Sequence, residues 1–167
     1  AEHYPGHTFE IPTFLTFGSW MGGDRDGNPF VTADVTEATL CRLRNAAIDI
    51  HLDECRRLYD YLTVSLTCTP GAEALAVRLA GLRDTWPGLA EAIDDVPPHE
   101  AYRRWLRMIR WRLEQSRTDS ISGDCAPGSY ASGSALEDDV VAICHCLEID
   151  HDASILDGDA GGWLDLV

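Results

Sequence analysis

Hydrophobic residues recur along most of this chain with the spacing of amphipathic α-helices. Apolar residues return every three or four positions, or at multiples of that spacing, in several long stretches. Proline and glycine interrupt the pattern at Thr69-Pro70-Gly71 and at Trp86-Pro87-Gly88. The periodicity and its breaks predict helices over residues 34–62, 72–85, 99–115 and 134–150, a short turn or helix over 89–95, and a short helix over 161–167.

The segment that precedes the first helix has a different composition. Residues 13–20 are mostly β-branched or aromatic and follow Pro12, which predicts one buried strand. No partner strand is evident in the sequence, and a buried strand without a partner leaves backbone N–H and C=O groups unsatisfied. We therefore expect a mainly α fold with one strand that belongs to a sheet completed elsewhere.

These elements divide the chain of 167 residues into regions of a single partial domain. The length is sufficient for one domain with a hydrophobic core and too short for two. One region is rich in serine, glycine and aspartate, which predicts an exposed, flexible connection. The regions are 1–33 (extended lead-in, strand and glycine-rich loop), 34–116 (helices), 117–133 (the flexible connection) and 134–167 (helices).

The charge of the chain restricts its partners. The net charge is −15, so nucleic acids and anionic membrane surfaces would be repelled. The sequence has no apolar run near the roughly 18 residues of a membrane-spanning helix. Its first residues also lack the pattern of a signal peptide. We therefore expect a cytoplasmic protein that binds neither nucleic acid nor membrane.

All 13 basic residues are arginines. One interpretation is selection for a forked, always-charged donor that binds carboxylate or phosphate. We favour a coding bias or a salt-adapted acidic surface, because most of these arginines fall at exposed helical positions. The absence of lysine excludes a Schiff-base lysine and a phosphate-loop lysine within this chain.

The six cysteines form no Cys-x-x-Cys pair. The nearest approach to a metal cluster is Cys144-His145-Cys146, with His151 nearby, in an apolar stretch with helical spacing. Neighbouring residues on a helix point about 100° apart, so these two thiols are poorly placed to share one metal. We expect buried free thiols in preference to a zinc site.

The loop between the predicted strand and the first helix is rich in glycine and charge. Asp24, Asp26 and Asn28 lie at alternate positions, like the first ligands of an EF-hand calcium loop. That motif also needs glycine at its sixth position and glutamate at its twelfth, where this chain has Pro29 and Val35. The spacing therefore excludes an EF-hand.

Nucleotide-binding loops are excluded in the same way. Without lysine there is no Walker A loop, and residues 22–27 do not match Gly-x-Gly-x-x-Gly. A structural turn fits the residues, with glycines that supply positive φ and Arg25 held between Asp24 and Asp26. The residues alone leave a structural turn and a functional loop both open.

The run Phe17–Pro29 closely resembles a signature of the phosphoenolpyruvate carboxylases. Residues 30–36 resemble that family's continuation into a long helix. Residues 100–106, with Arg110 and Arg112-Leu113, resemble its Pro-Tyr-Arg helix, where this chain has alanine in place of the usual proline. The resemblance covers the whole chain, and is strongest in the loop and weakest after the arginine-rich helix.

The resemblance implies that this chain is an internal fragment, because the family's enzymes are several times longer. Those enzymes are mainly α-helical proteins built around an eight-stranded β/α barrel, to which the predicted strand would belong. They carboxylate phosphoenolpyruvate with bicarbonate to give oxaloacetate and phosphate, a lyase-class reaction that fixes carbon dioxide and supplies the citric acid cycle. They use Mg²⁺ or Mn²⁺, and we expect the full enzyme to be a homotetramer.

The resemblance also implies roles for residues of the loop. Trp20 matches a family tryptophan that lines the apolar pocket beside the substrate and excludes water; a plain core aromatic is the alternative. The loop would shape the site through Gly22, Gly23, Asp24, Arg25, Asp26, Gly27 and Asn28. The arginines of residues 103–112 are interpreted as a solvated face of their helix rather than a phosphate site.

No catalytic or metal-binding residue of the family is expected in this chain, since its histidine motif, metal-binding carboxylates and phosphate-binding arginines are absent. We therefore expect that the chain alone binds no metal ion and does not carboxylate phosphoenolpyruvate. The alternative function is a free-standing helical interaction module that keeps the loop as a scaffold.

Overall fold

The computed structural model describes residues 15–24, 26, 28–118 and 125–150. The described part is mainly helical, as predicted. Its helices are α1 (Ala33–Tyr61), α2 (Glu73–Thr85), α3 (Leu89–Ile93), α4 (Ala101–Ser116) and α5 (Gly133–Ile149), with a 3₁₀ turn over Pro70–Ala72. The predicted lead-in and the predicted helix over 161–167 lie outside the described residues.

The prediction of a strand over residues 13–20 is wrong for residues 15–20, which adopt no regular secondary structure. A strand is stabilised by the hydrogen bonds of a neighbouring strand, and the described residues contain no strand with which this segment could pair. The β-branched and aromatic composition is therefore not sufficient to form a strand in this chain.

The chain divides into two compact units, residues 1–40 and residues 41–167. In the first unit the described residues form the glycine-rich loop and the first turns of α1. The Thr32 hydroxyl accepts a hydrogen bond from the Val35 N–H at 3.4 Å, so Thr32 is the N-cap of α1. The loop is thus joined directly to a capped helix start.

In the second unit α4 is the central helix. Its apolar residues follow the i, i+3, i+4, i+7 spacing that the sequence predicts, and they are buried. Each large side chain of this kind contributes about 1.5–3 kcal/mol when fully buried. The core around α4 is formed by Ile48, Leu52, Cys55 and Leu58 of α1, Leu75 and Leu79 of α2, Leu89 and Ile93 of α3, Tyr102, Trp105, Leu106, Met108, Ile109 and Leu113 of α4, and Leu136, Val140, Ile143 and Leu147 of α5.

A buried ion pair joins α4 to α5. Arg112 donates from Nη1 to the Asp139 carboxylate at 2.5 Å and from Nε to the Gly128 carbonyl oxygen at 3.0 Å. The Tyr130 hydroxyl donates to the same Asp139 oxygen at 2.9 Å. The Arg112 guanidinium also lies over two rings, 3.8 Å from the centre of Tyr130 and 4.7 Å from that of Trp86. Asp139 therefore neutralises a charge that the aromatic rings enclose.

This ion pair also accounts for a packed segment within the predicted flexible connection. Gly128 and Ser129 are buried, although they lie in the serine- and glycine-rich region 117–133. The Tyr130 N–H donates to the Ser116 hydroxyl at 2.8 Å, which fixes the segment to the end of α4. Residues 128–130 are therefore part of the helical core.

Candidate functional site

The glycine-rich loop begins with a tight turn at Trp20. The Gly23 N–H donates to the Trp20 carbonyl oxygen at 3.1 Å, and the Met21 N–H donates to the Ser19 hydroxyl at 3.2 Å. Gly22, inside this turn, has φ of +66°, a conformation that residues with a Cβ rarely adopt. The turn sets the direction in which the backbone leaves Trp20.

Side chains of the loop also bind the loop's own backbone. The Asp24 carboxylate accepts a hydrogen bond from the Asp26 N–H at 3.3 Å. The Asn28 side-chain oxygen accepts one from the Phe30 N–H at 3.1 Å. Bonds of this kind, from a side chain to the N–H two residues on, are typical of Asx turns. Asp24 and Asn28 thus have structural partners within the loop.

Two residues of the predicted site lie outside the described residues. These are Arg25 and Gly27. The predicted pinning of Arg25 between Asp24 and Asp26 therefore stays a prediction, as does the role of the loop in shaping a site.

The loop is attached to α1 by Thr36. The Thr36 hydroxyl donates to the Gly22 carbonyl oxygen at 2.7 Å, across fourteen residues of sequence. A Cβ placed on Gly22 would collide with the side chain of Thr39, one turn further along α1. Neither threonine was identified from the sequence. The sequence around a helical threonine does not show whether its hydroxyl bonds a loop or a carbonyl of its own helix.

The aromatic side chains of the loop are exposed. Trp20 is 80% exposed, Phe17 93% and Phe30 82%, and Met21 is largely exposed as well. Trp20 is therefore exposed within this chain, and both its role beside the substrate and the alternative of a core aromatic stay predictions. Large exposed apolar side chains in one short segment are typical of a surface that other groups cover.

The described carboxylates of the loop belong to no cluster that could hold a metal ion. Among the residues that the structure describes, no group of three or more His, Cys, Asp or Glu side chains is placed to hold a metal ion. The described residues therefore do not fit the Mg²⁺ or Mn²⁺ that the family resemblance implies. Cys144 and Cys146 lie on α5 and form no disulfide; Cys144 is half-buried and Cys146 is buried, and burial raises the pKa of Cys146.

The arginines of α4 are predicted to form a solvated face, but three of them are largely buried in the structure. Arg103, Arg104 and Arg107 have side chains that are only 16–28% exposed, and each pairs with a carboxylate. Their partners are Glu100 at 2.6 Å, Asp94 at 3.4 Å and Asp95 at 2.7 Å, respectively. Long side chains bury their stems along the helix while the charged ends reach nearby carboxylates. These arginines are thus structural ion-pair partners.

Among the described residues, none of the helices combines the length and the apolar character that crossing a bilayer requires.

Comparison with known proteins identifies the family. The family model for phosphoenolpyruvate carboxylase matches residues 1–167. The phosphoenolpyruvate carboxylase of Methylorubrum extorquens is 37% identical over 140 residues, which are 84% of this chain and 15% of that protein. The enzyme of the same name from Roseiflexus castenholzii is 34% identical, over 93% of this chain and 17% of its own length.

A third relative gives the same result. The phosphoenolpyruvate carboxylase of an Azoarcus species is 35% identical over 90% of this chain and 16% of its own length. No solved structure matches the chain significantly. The chain thus spans 15–17% of the length of these curated relatives, and the match to the family model extends over all of it. This chain belongs to the phosphoenolpyruvate carboxylase family.

Proposed function

We propose that this chain is a segment of a phosphoenolpyruvate carboxylase and that its glycine-rich loop forms one wall of the carboxylation site. The reaction joins bicarbonate to phosphoenolpyruvate and yields oxaloacetate and inorganic phosphate. One observation carries the proposal: the aromatic side chains of the loop are 80–93% exposed in a chain that the family model matches over its whole length.

We expect other parts of the complete enzyme to pack against these exposed side chains. Phe17, Trp20 and Phe30 are large apolar residues, and three such exposed residues in one short segment are typical of a surface that another group covers. The relatives are about six times longer than the matched segment, so the rest of such an enzyme supplies ample surface for that cover. We propose that residues 15–20 join the sheet of a β/α barrel in the complete enzyme, which would also provide the missing strand partners.

Trp20 is the residue of this chain to which we assign a function beside the substrate. When the phosphate leaves phosphoenolpyruvate, the product is the enolate of pyruvate. The enolate must react with CO₂ before it is protonated. An indole that closes one side of the pocket excludes water and so protects the enolate carbon from protonation. Asp24 and Asn28, with their bonds to the loop backbone, hold the shape of that wall.

The remaining functions of the site belong to other parts of the protein in this proposal. The described residues offer no metal cluster, so we propose that the divalent cation, Mg²⁺ or Mn²⁺, is held by residues outside this chain. The role of the chain is to complete the pocket.

A segment exchange tests the proposal. The matching segment of the Methylorubrum extorquens enzyme is replaced by this chain, and oxaloacetate is measured by its reduction to malate with NADH. The chimera should carboxylate phosphoenolpyruvate. Trp20→Ala should lower the oxaloacetate yield and raise the pyruvate yield, because the enolate then picks up a proton, while Trp20→Phe keeps part of the apolar wall.

Tyr61→Ala is the control, since Tyr61 is an exposed aromatic at the end of α1, outside the loop. It should leave both yields unchanged. An inactive chimera would count against the proposal, and so would a Trp20→Ala variant with the same ratio of oxaloacetate to pyruvate as the unmodified chimera.

A helical interaction module is the second candidate function. It is favoured by one observation, the hydrophobic core that the unit of residues 41–167 has of its own. We expect no oxaloacetate from phosphoenolpyruvate and bicarbonate with the chain alone under either function. The segment-exchange chimera distinguishes the two: a segment of the carboxylation site should give an active chimera, whereas an interaction module should leave it inactive.

A further inference from the structure

Among the described residues, the Thr36 hydroxyl has two carbonyl acceptors within reach, and the shorter contact is to the loop. It lies 2.7 Å from the Gly22 carbonyl oxygen and 3.2 Å from the carbonyl oxygen of Thr32, four residues earlier in the same segment. A hydroxyl has a single proton to donate, and the shorter contact is the stronger bond. A threonine in an isolated helix bonds its own i−4 carbonyl, as Thr39 does to Val35 at 2.7 Å. The bond of Thr36 is therefore directed to the loop.

The acceptor of this bond is the residue whose conformation defines the loop. Gly22 has φ of +66°, and the space in which a side chain would stand is filled by Thr39. Gly22 thus has its backbone against α1, held by a hydrogen bond from Thr36 and by contact with Thr39. Both contacts lie within the unit of residues 1–40.

A short chain of bonds leads from Thr36 to Trp20. Gly22 lies inside the turn that the bond from the Gly23 N–H to the Trp20 carbonyl oxygen closes at 3.1 Å. Fixing the Gly22 carbonyl therefore fixes the plane of the turn. The first turns of α1, with Thr32 as their N-cap, supply a rigid base for this arrangement.

We propose that Thr36 is a positioning residue of the carboxylase site: its hydroxyl fixes Gly22 and, through the turn, the place of the Trp20 indole. The inference rests on the proposed function of the loop. Thr36 acts through Trp20 and does not contact the substrate. Its loss should therefore slow the capture of CO₂ by the enolate more than it weakens the binding of phosphoenolpyruvate. Its loss should lower kcat and change KM little.

Two substitutions separate the hydroxyl from the shape of the side chain. Thr36→Val keeps the size and the β-branch and removes the donor, whereas Thr36→Ser keeps the donor. Thr85→Val is the matched control, since the Thr85 hydroxyl donates to the i−4 carbonyl of Gly81 at 3.1 Å on α2, in the other unit. A misplacement of a pocket group by about 1 Å costs up to ~10²-fold in rate. We expect a fall in kcat of about tenfold for Thr36→Val.

The first measurement is made on the 167-residue chain and needs no activity. Nuclear magnetic resonance of the labelled chain reports the conformation of Gly22 by its amide-to-α-proton couplings, and the hydrogen bond by its carbonyl carbon shift. Both signals should change in Thr36→Val and persist in Thr36→Ser and Thr85→Val. Unchanged Gly22 signals in Thr36→Val would overturn the proposal.

The second measurement uses the segment-exchange chimera described above. Thr36→Val should lower kcat about tenfold, leave KM for phosphoenolpyruvate within about twofold, and raise the share of pyruvate. Thr36→Ser should restore kcat to within about twofold of the unmodified chimera. A normal kcat in Thr36→Val, even with altered Gly22 signals, would also overturn the proposal.

The two measurements distinguish the failure of this inference from the failure of the proposed function. If the unmodified chimera does not carboxylate while the parent enzyme does, the proposed function of the segment is refuted. The Gly22 signals then decide by themselves whether Thr36 positions the loop: a change in Thr36→Val alone supports its positioning role, and no change refutes it.

Discussion

Replacing Asp139 with alanine should lower the free energy of unfolding more than the substitution of an exposed surface residue does. Asp139 is 4% exposed and accepts from Arg112 at 2.5 Å and from the Tyr130 hydroxyl at 2.9 Å. Alanine would leave the Arg112 charge, on a side chain that is only 12% exposed, without its carboxylate. Breaking a buried ion pair from one side typically costs about 3–5 kcal/mol.

The contacts that survive place the expected cost at the lower end of that range. Arg112 keeps its bond to the Gly128 carbonyl oxygen and its stacking on the rings of Trp86 and Tyr130. We expect a loss of about 3–4 kcal/mol in the free energy of unfolding.

Urea denaturation followed by far-ultraviolet circular dichroism measures this loss. With a slope of about 2 kcal/mol per molar urea, the midpoint should fall by about 1.5–2 M at unchanged slope. Asp138→Ala is the control, because Asp138 is the exposed neighbour on the same helix and should change stability by less than about 0.5 kcal/mol. The reasoning is refuted if Asp139→Ala and Asp138→Ala have the same midpoint.

Three further predictions concern glycines and thiols. Gly128→Ala should destabilise the protein by more than about 1 kcal/mol, because the φ of Gly128 is +86° and a Cβ there would collide with the ring of Trp111. Gly81→Ala, at a position with open space within α2, should stabilise it by about 0.5–1 kcal/mol. Urea midpoints that shift in the same direction for both variants would contradict this prediction. Burial raises the pKa of Cys55 to about 12, so above about pH 8.5 only the unfolded chain releases that proton, and the free energy of unfolding should fall as pH rises. Cys55→Ala should reduce the difference between the free energies of unfolding measured by urea titration at about pH 8 and about pH 10. An unchanged difference would exclude Cys55 as the source of the pH dependence. A thiol reagent should label exposed Cys68 in the native protein and Cys55 only after unfolding, and rapid native labelling of Cys55 would contradict its burial.

The helices could be predicted from the sequence because their information is local. Apolar spacing and the breaks at Pro70 and Pro87 locate α1, α2 and α4 to within a few residues of their observed ends. The positive φ of Gly22 also agrees with the local composition of the loop. These features depend on a residue and its near neighbours.

The failed predictions depend on distant partners. Arg107 pairs with Asp95, twelve residues earlier, and this pairing depends on the turn between α3 and α4, which residue spacing alone does not encode. Residues 15–20 have the composition of a strand but no neighbour to pair with among the described residues. The Thr36 bond to Gly22 likewise spans fourteen residues and depends on how the loop folds back.

The exposed aromatic loop has a consequence for the behaviour of the isolated chain in solution. Phe17, Trp20 and Phe30 favour self-association, while a net charge of −15 keeps copies of the chain apart. Salt weakens that repulsion, since the Debye length falls from about 10 Å at 0.1 M to about 3 Å at 1 M, whereas apolar attraction persists. The colloidal stability of the chain is therefore electrostatic in origin, and high ionic strength or a pH near its isoelectric point of about 4.5 favours its precipitation.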